Sequence, residues 1–294
     1  MDGEGYISSE KGPRKPWSDL PNEADMGKPS LHPGDVYAQE STMGQWPTTL
    51  LGGLPVVRCS MDEAAQGFID EALLHRGSSA KPFYSTSANG QVIAMCAKKA
   101  DFQELMLEAD QIHADGMPMI MYSRMFSSHP VSERIATTDL VHSVAVKAER
   151  AGVSFYFLGG TEEVNAKAVA AMRTRYPNLT FAGRRNGYFK RGEEDAVIAD
   201  IQASKPDILW IGLGFPLEQA FVSRNIDRLR SVGVIKTSGG LFDFVSGKNA
   251  RAPLWMQRYG LEWAYRMYNE PRRLTMRYLL SNPAAIRALF THSN

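Results

Sequence analysis

Cysteine is scarce in this chain: two among 294 residues, Cys59 and Cys96, with no Cys-x-x-Cys pair. A chain this long needs no disulfide staple, so a reducing compartment is expected. Long apolar runs are missing too. The longest spans roughly Ile208 to Leu217, is interrupted by glycine, and is far short of the about twenty residues needed to cross a bilayer. The first residues, Met1-Asp2-Gly3-Glu4-Gly5, lack the basic-then-apolar pattern of a secretion signal. The six histidines have no zinc-like spacing and no Asp-x-Asp pair follows a strand, so no metal site and no cofactor are expected. A Gly-x-Ser-x-Gly elbow, a Walker loop and a Gly-x-Gly-x-x-Gly fingerprint are all absent. These gaps disfavour serine hydrolases, metallohydrolases and metal-dependent sugar transferases of the Asp-x-Asp type. The net charge is only +1, and no nucleic-acid partner is expected.

What is present divides the chain into three. Residues 1–50 hold six of the sixteen prolines with no sustained period, which predicts a disordered arm. Short apolar runs then alternate with amphipathic stretches. Strands are expected at Pro55–Arg58, Pro82–Thr86, Ser154–Leu158, Leu179–Ala182, Asp207–Leu213 and Val234–Thr237. Helices are expected at Met61–His75, Val92–Ala109, Glu162–Tyr176, Glu193–Ser204 and Leu217–Arg230. This alternation predicts an α/β core over 51–246 with a mainly parallel, Rossmann-like sheet. Residues 247–294 are helical text carrying a net charge of +6, with helices expected near 254–269, 271–281 and 283–291. Such a basic helical appendage suits an anionic partner, phosphates or lipid headgroups, or else a solvated face. Its Trp255, Tyr259, Trp263 and Met267 read more readily as a packing stripe than as a ligand box.

In a parallel sheet, ligands bind beyond the C-terminal ends of the strands, where helix N-termini offer free N–H groups. Gly159-Gly160-Thr161 and Gly212-Leu213-Gly214-Phe215-Pro216 mark two such exits, the second leading to Glu218 and Gln219. Each suits part of a nucleotide diphosphate, or a tight turn without ligand. Asp115, between a short apolar strand and Gly116, is placed to act as a general base or to cap the next helix. Ser87 and Asn89 offer a sugar or phosphate grip, or loop caps. Arg134 is a phosphate clamp or half of a surface ion pair.

Taken in order, Ser87-Ala88-Asn89, Ala114-Asp115-Gly116-Met117-Pro118, Glu133-Arg134, Phe157-Leu158-Gly159-Gly160, Gly212-x-Gly214-x-Pro216, Gly239-Gly240-x-Phe242-Asp243 and the Arg251-to-Arg273 stretch resemble the WecG/TagA/CpsF glycosyltransferase family over about residues 54 to 280. The resemblance implies inverting, metal-independent transfer of a hexose, of glucose or N-acetylmannosamine type, from a UDP-sugar to a polyprenyl-diphosphate-linked sugar. It implies peripheral attachment to the anionic cytoplasmic face of a bacterial inner membrane. By position Asp115 matches the family's base, Ser87 stands for its Thr, and Asn89 and Arg134 match acceptor-side residues. Gly159, Gly160 and Asp243 match the nucleotide pocket, while Arg266 and Arg273, with Arg277 as a third, match arginines that close over the diphosphate. One departure is Pro216-Leu217-Glu218-Gln219, where the family has Pro-Lys-Gln-Glu; this puts the sugar contact and the donor in question. Together with Gln91 it fits a divergent branch that builds exopolysaccharide. A nicotinamide-dependent oxidoreductase and a non-enzymatic membrane scaffold stay open as other classes, as does the oligomeric state.

Overall fold

The computed structural model describes residues 46–293 except 260 and 270; the side chains of 254, 258, 273–275, 277, 278 and 280 are outside that description, and so is the expected arm up to residue 45. Eight strands form one sheet: β1 (Thr48–Leu51), β2 (Leu54–Val57), β3 (Phe83–Ala88), β4 (Gln111–Ala114), β5 (Phe155–Gly159), β6 (Phe181–Arg185), β7 (Ile208–Gly212) and β8 (Val234–Thr237). Their order is β1-β2-β4-β3-β8-β7-β5-β6, and every pairing is parallel except β1 with β2. The α/β, mainly parallel architecture therefore stands as expected. β5 reads Phe-Tyr-Phe-Leu-Gly and is buried throughout, because helices cover both of its faces.

On one face α1 (Met61–Leu74), α5 (Thr137–Ala151), α6 (Glu162–Arg175) and α9 (Leu241–Val245) pack around Phe68, Phe155, Phe157 and Trp210. On the other, α7 (Glu194–Ser204) and α8 (Leu217–Asn225) cover Tyr156, Leu158, Leu209 and Ile211. A third cluster, around Val56 and Ile112, is capped by α2 (Gly90–Cys96), α3 (Ala100–Leu107) and α4 (Met117–Phe126). The sheet has two halves, joined where β3 pairs with β8. At that junction the strand order reverses, and such a switch point opens a crevice beyond the strand ends.

Several local readings differ from the structure. Thr48–Leu51 lies in the stretch expected to be arm, yet it forms a strand. Gly52 and Gly53, at φ 57 and 82, make the two-residue turn that pairs Leu51 with Leu54. The helix expected over Val92–Ala109 breaks at Lys99, whose backbone is extended, so that α2 and α3 each lay an apolar face on the same cluster. The edge strand β6 sits two residues later than expected. The helix expected over 254–269 is two, α10 (Leu254–Arg258) and α11 (Glu262–Asn269), so Arg258 does not share a helix face with Glu262 and Arg266.

Conversely, the two helices expected near 271–281 and 283–291 are one, α12 (Pro271–Thr291), which runs through Pro283. Proline costs a helix one backbone hydrogen bond. Here packing outweighs that loss: Ala285, Ala288 and Leu289 are buried with Val92 and Ile93 of α2. The last residues close on the β1–β2 turn, where the Gly53 N–H donates to the His292 carbonyl at 2.7 Å and the Gly52 N–H to Ser293 Oγ at 2.9 Å. The final third of the basic segment is thus built into the core rather than hung from it.

Candidate active site

Beyond the C-terminal ends of β3, β4, β7 and β8 lies a cleft of about 820 Å³. Of the residues singled out in the sequence, Ser87, Asn89, Asp115 and Arg134 line one side and Gly160, Thr161, Gly214 and Asp243 the other; Glu218, Gln219 and Arg266 also face it. Arg273 and Arg277 are on α12, but their side chains lie outside the described residues. Gly159 sits behind the wall. A Cβ there would stand 2.3 Å from the Gly212 carbonyl oxygen, and φ is 145, so only glycine lets β5 and β7 approach this closely.

Asp115 follows β4 and does not cap α4, whose N-cap Gly116 makes no side-chain cap bond. Its Oδ2 instead accepts from the Thr137 hydroxyl at 3.3 Å and from the Thr137 N–H at 3.4 Å, at the start of α5. Burial pushes its carboxyl above the ordinary range, and nearby Arg134, Thr137 and Lys236 pull the other way. A half-buried carboxylate held through one oxygen, with raised proton affinity, is suited to general-base work.

The capping reading holds for Asn89 but not for Ser87, and Thr161 proves to be a cap as well. Asn89 Oδ1 accepts from the N–H groups of Gln91 and Val92, and Thr161 Oγ1 accepts from Val164 N–H, so both are helix caps that also border the cleft. Arg134 is an ion-pair member: its Nη2 lies 2.8 Å from Glu262 Oε2 on α11. Glu262 Oε2 is also 3.7 Å from Arg251 Nη2, and Arg251 pairs with Asp139. The carboxylate from the basic segment therefore occupies the place between two guanidinium groups. Arg266 lies over the Phe244 ring, 4.8 Å from its centroid, and Asp243 pairs with Lys248 Nζ at 3.0 Å.

Glu218 and Gln219 both turn inward. Glu218 accepts from the Gly214 N–H at 3.0 Å and the Gly239 N–H at 2.9 Å, which ties the exit of β7 to the exit of β8. Burial raises its carboxyl to about 7. Gln219 Nε2 donates to Thr86 Oγ1 at 3.1 Å beneath the cleft floor. Of the expected aromatic stripe, Trp255 and Tyr259 are 57% and 76% exposed and do not pack, while Trp263 borders the cleft and Met267 is half-buried.

Three polar residues of the site carried no local signal that singled them out: Thr137, Glu262 and Lys236. Lys236 is fully buried in the middle of β8, and its Nζ donates to Ser87 Oγ at 2.7 Å. A lysine in the short buried strand Val234-Ile235-Lys236-Thr237 was the available clue. Among the described residues no three His, Cys, Asp or Glu side chains form a group that could hold a metal ion.

Residues 49–293 match the model of the glycosyl transferase WecG/TagA/CpsF family. The chain belongs to this family. It is also similar to an N-acetylglucosaminyldiphosphoundecaprenol N-acetyl-beta-D-mannosaminyltransferase of Bacillus spizizenii, at 31% identity over 213 residues, 72% of this chain and 80% of the relative. The protein is accordingly a glycosyltransferase, and the oxidoreductase and scaffold readings fall away.

The clamp made by Glu218 has a pH signature. Its folded-state pKa is raised from 4.5 to about 7, so the stability it contributes is full below pH 4.5 and is lost as pH rises through 7. The unfolding free energy of wild type minus that of Glu218→Gln should fall across this window in chemical denaturation; a flat difference would contradict the clamp's buried charge.

Proposed function

We propose that this glycosyltransferase moves a hexose from a UDP-sugar to a sugar carried on a polyprenyl diphosphate, with inversion and without a metal. The observation that carries the reading is Asp115: its Oδ2 is engaged by Thr137 and the residue lines a cleft bordered by Arg134 and Arg266, so Oδ1 is assigned to the acceptor hydroxyl. The acceptor hydroxyl attacks the anomeric carbon as its proton passes to Asp115 Oδ1. The bond from that carbon to the UDP oxygen breaks, and its electron pair leaves on the β-phosphate. Attack opposite the leaving group inverts the anomeric centre.

Charge building on the leaving UDP needs neutralising, and guanidinium forks do this for phosphates. Arg266 is the described side chain placed for it, with Arg273 and Arg277 assigned the same task from their positions on α12. Glu262 stands in for an anion between Arg134 and Arg251 and gives way when the acceptor diphosphate enters. Gly160, Thr161, Gly214 and Asp243 are assigned to the nucleotide side, with Gly159 shaping the turn behind them. Ser87 and Asn89 are assigned to the acceptor side. Glu218 is spent on two backbone N–H groups and the Gln219 amide on Thr86 Oγ1, so both are assigned to supporting the cleft floor under the sugar.

The donor is a glucose-type or N-acetylmannosamine-type hexose. The relative's name supports the second, and the Glu218-Gln219 order and the Gln91 segment support the first, in exopolysaccharide assembly. The acceptor's lipid places the reaction at a membrane surface, on the cytoplasmic face of a bacterial inner membrane. No helix among the described residues is long and apolar enough to cross a bilayer, so contact is by docking. Trp255, Tyr259 and Tyr268 are exposed on the segment that also carries exposed Arg272 and Arg287, a pairing suited to an anionic interface.

Purified protein with a UDP-hexose and a short-chain polyprenyl-diphospho-sugar should give product in EDTA, and Asp115→Asn should lower turnover about 10²–10⁴-fold without lowering the melting temperature. Full activity in Asp115→Asn would overturn the base assignment, and product only with UDP-glucose or only with UDP-N-acetylmannosamine decides the donor. In co-sedimentation, vesicles containing anionic lipid should retain the protein at low salt and release it as salt rises. Equal retention on neutral vesicles would contradict the basic docking surface.

A further inference from the structure

Buried lysines are rare, and an unpaired one is costly, so a lysine at zero exposure in a strand needs a reason. Lys236 is such a residue, and its place in β8 is set by the sheet: it pairs in register with Ser85 of β3 and Trp210 of β7. It therefore shares the face of the sheet that carries Ser87 and, across the β3–β4 register, His113. Its ammonium donates to Ser87 Oγ at 2.7 Å. Ser87 Oγ lies 3.2 Å from Thr137 Oγ1, and Thr137 Oγ1 donates to Asp115 Oδ2 at 3.3 Å.

The direction of this chain follows from proton counting. A threonine hydroxyl has one proton, and Thr137's is directed to Asp115, so Thr137 must accept from Ser87. Ser87 in turn has given its proton to Thr137 and accepts from Lys236. Every donor thus points from the buried cation toward the carboxylate, and aligned hydrogen bonds polarise one another in a low-dielectric setting. Asp115, Glu218 and the Cys59 thiol are the acidic groups felt by Lys236, and His113 is the neighbouring base. Asp115 is faced in addition by Arg134, Glu262 and Arg251.

We propose that Lys236 is a positioning residue for glycosyl transfer, acting through Ser87 and Thr137 to hold Asp115 by Oδ2, keep Oδ1 toward the acceptor hydroxyl, and set the proton affinity of the base. This rests on Asp115 being the base. Burial lowers the Lys236 ammonium to about 7, so the cation is present below that pH, where a carboxylate's acid limb falls. A nearby cation favours the charged carboxylate; removing it raises the pKa of Asp115. The sign is definite: without Lys236 the carboxylate holds its proton to higher pH, and the acid limb of the rate profile moves up.

The test uses the full chain with Lys236→Met, which keeps length and removes charge, alongside Lys236→Arg, Ser87→Ala and Thr137→Val. The acid limb of kcat against pH should move up by about one unit in Lys236→Met, and Lys236→Arg should restore it in part. Ser87→Ala and Thr137→Val, which leave the buried cation in place, should move it in the same direction. An acid limb that stays put while kcat falls equally at all pH would show a structural role and overturn the proposal. Should Lys236→Met not fold, the Ser87 and Thr137 variants decide alone by the same criterion. A ¹³C titration of the aspartate carboxyls, with Asp115→Asn identifying the resonance, reads the same shift without substrate. A shifted resonance in a protein that makes no product would leave the coupling standing and sink the transfer reading; an active enzyme with an unshifted resonance would do the reverse.

Discussion

The pairing of β3 with β8 is the contact on which the site depends. It joins the halves of the sheet, and it is why residues from positions 87, 115, 218 and 236 meet at one edge. β3 brings Ser87 beside Lys236, β4 delivers Asp115 one strand away, and the turn after β8 offers its Gly239 N–H to Glu218. A parallel sheet ends all its strands on the same side, so the chemistry gathers where those ends part. Shift that pairing by one residue and Lys236 would face α8 instead of Ser87.

Charge in the cleft is arranged in two tiers. Beneath the floor, Lys236 and Glu218 are buried and each is pulled toward neutrality by burial; nearby Asp115 and Glu218 partly offset this for Lys236, and the Gly239 and Gly214 N–H groups do so for Glu218. Above the floor, Arg134 and Arg266 border the cleft, and Glu262 stands between Arg134 and Arg251. The lower tier is fixed by the sheet. Arg251, Glu262 and Arg266 of the upper tier come from the C-terminal segment, whose far end is anchored by α12 against α2 while α10 and α11 expose aromatic residues; Arg134 comes from the stretch before α5. The segment is thus tied to the core at its end and exposed in its middle.

Much of this was legible in local text. Apolar runs alternating with amphipathic ones gave the parallel sheet, and a carboxylate before Gly116 at a strand end marked Asp115. The Gly52-Gly53 hairpin was readable too, since two glycines between apolar runs signal a two-residue turn, but the proline-rich stretch before it dominated the reading. Other features depend on partners distant in sequence. Arg134 meets Glu262 across 128 positions and Lys236 meets Ser87 across 149, and no local pattern encodes either pair. Pro283 misled for the same reason: it suits the first turn of a new helix, yet α12 runs through it under the packing of Ala285, Ala288 and Leu289.

The most direct measurement is an experimental structure of the full chain with UDP and a short-chain polyprenyl-diphospho-sugar acceptor. The account predicts the diphosphate of UDP beside Arg266 and the acceptor hydroxyl about 3 Å from Asp115 Oδ1, with Oδ2 still bound by Thr137. An acceptor hydroxyl facing any other carboxylate, or UDP seated away from the β3–β8 crevice, would contradict it.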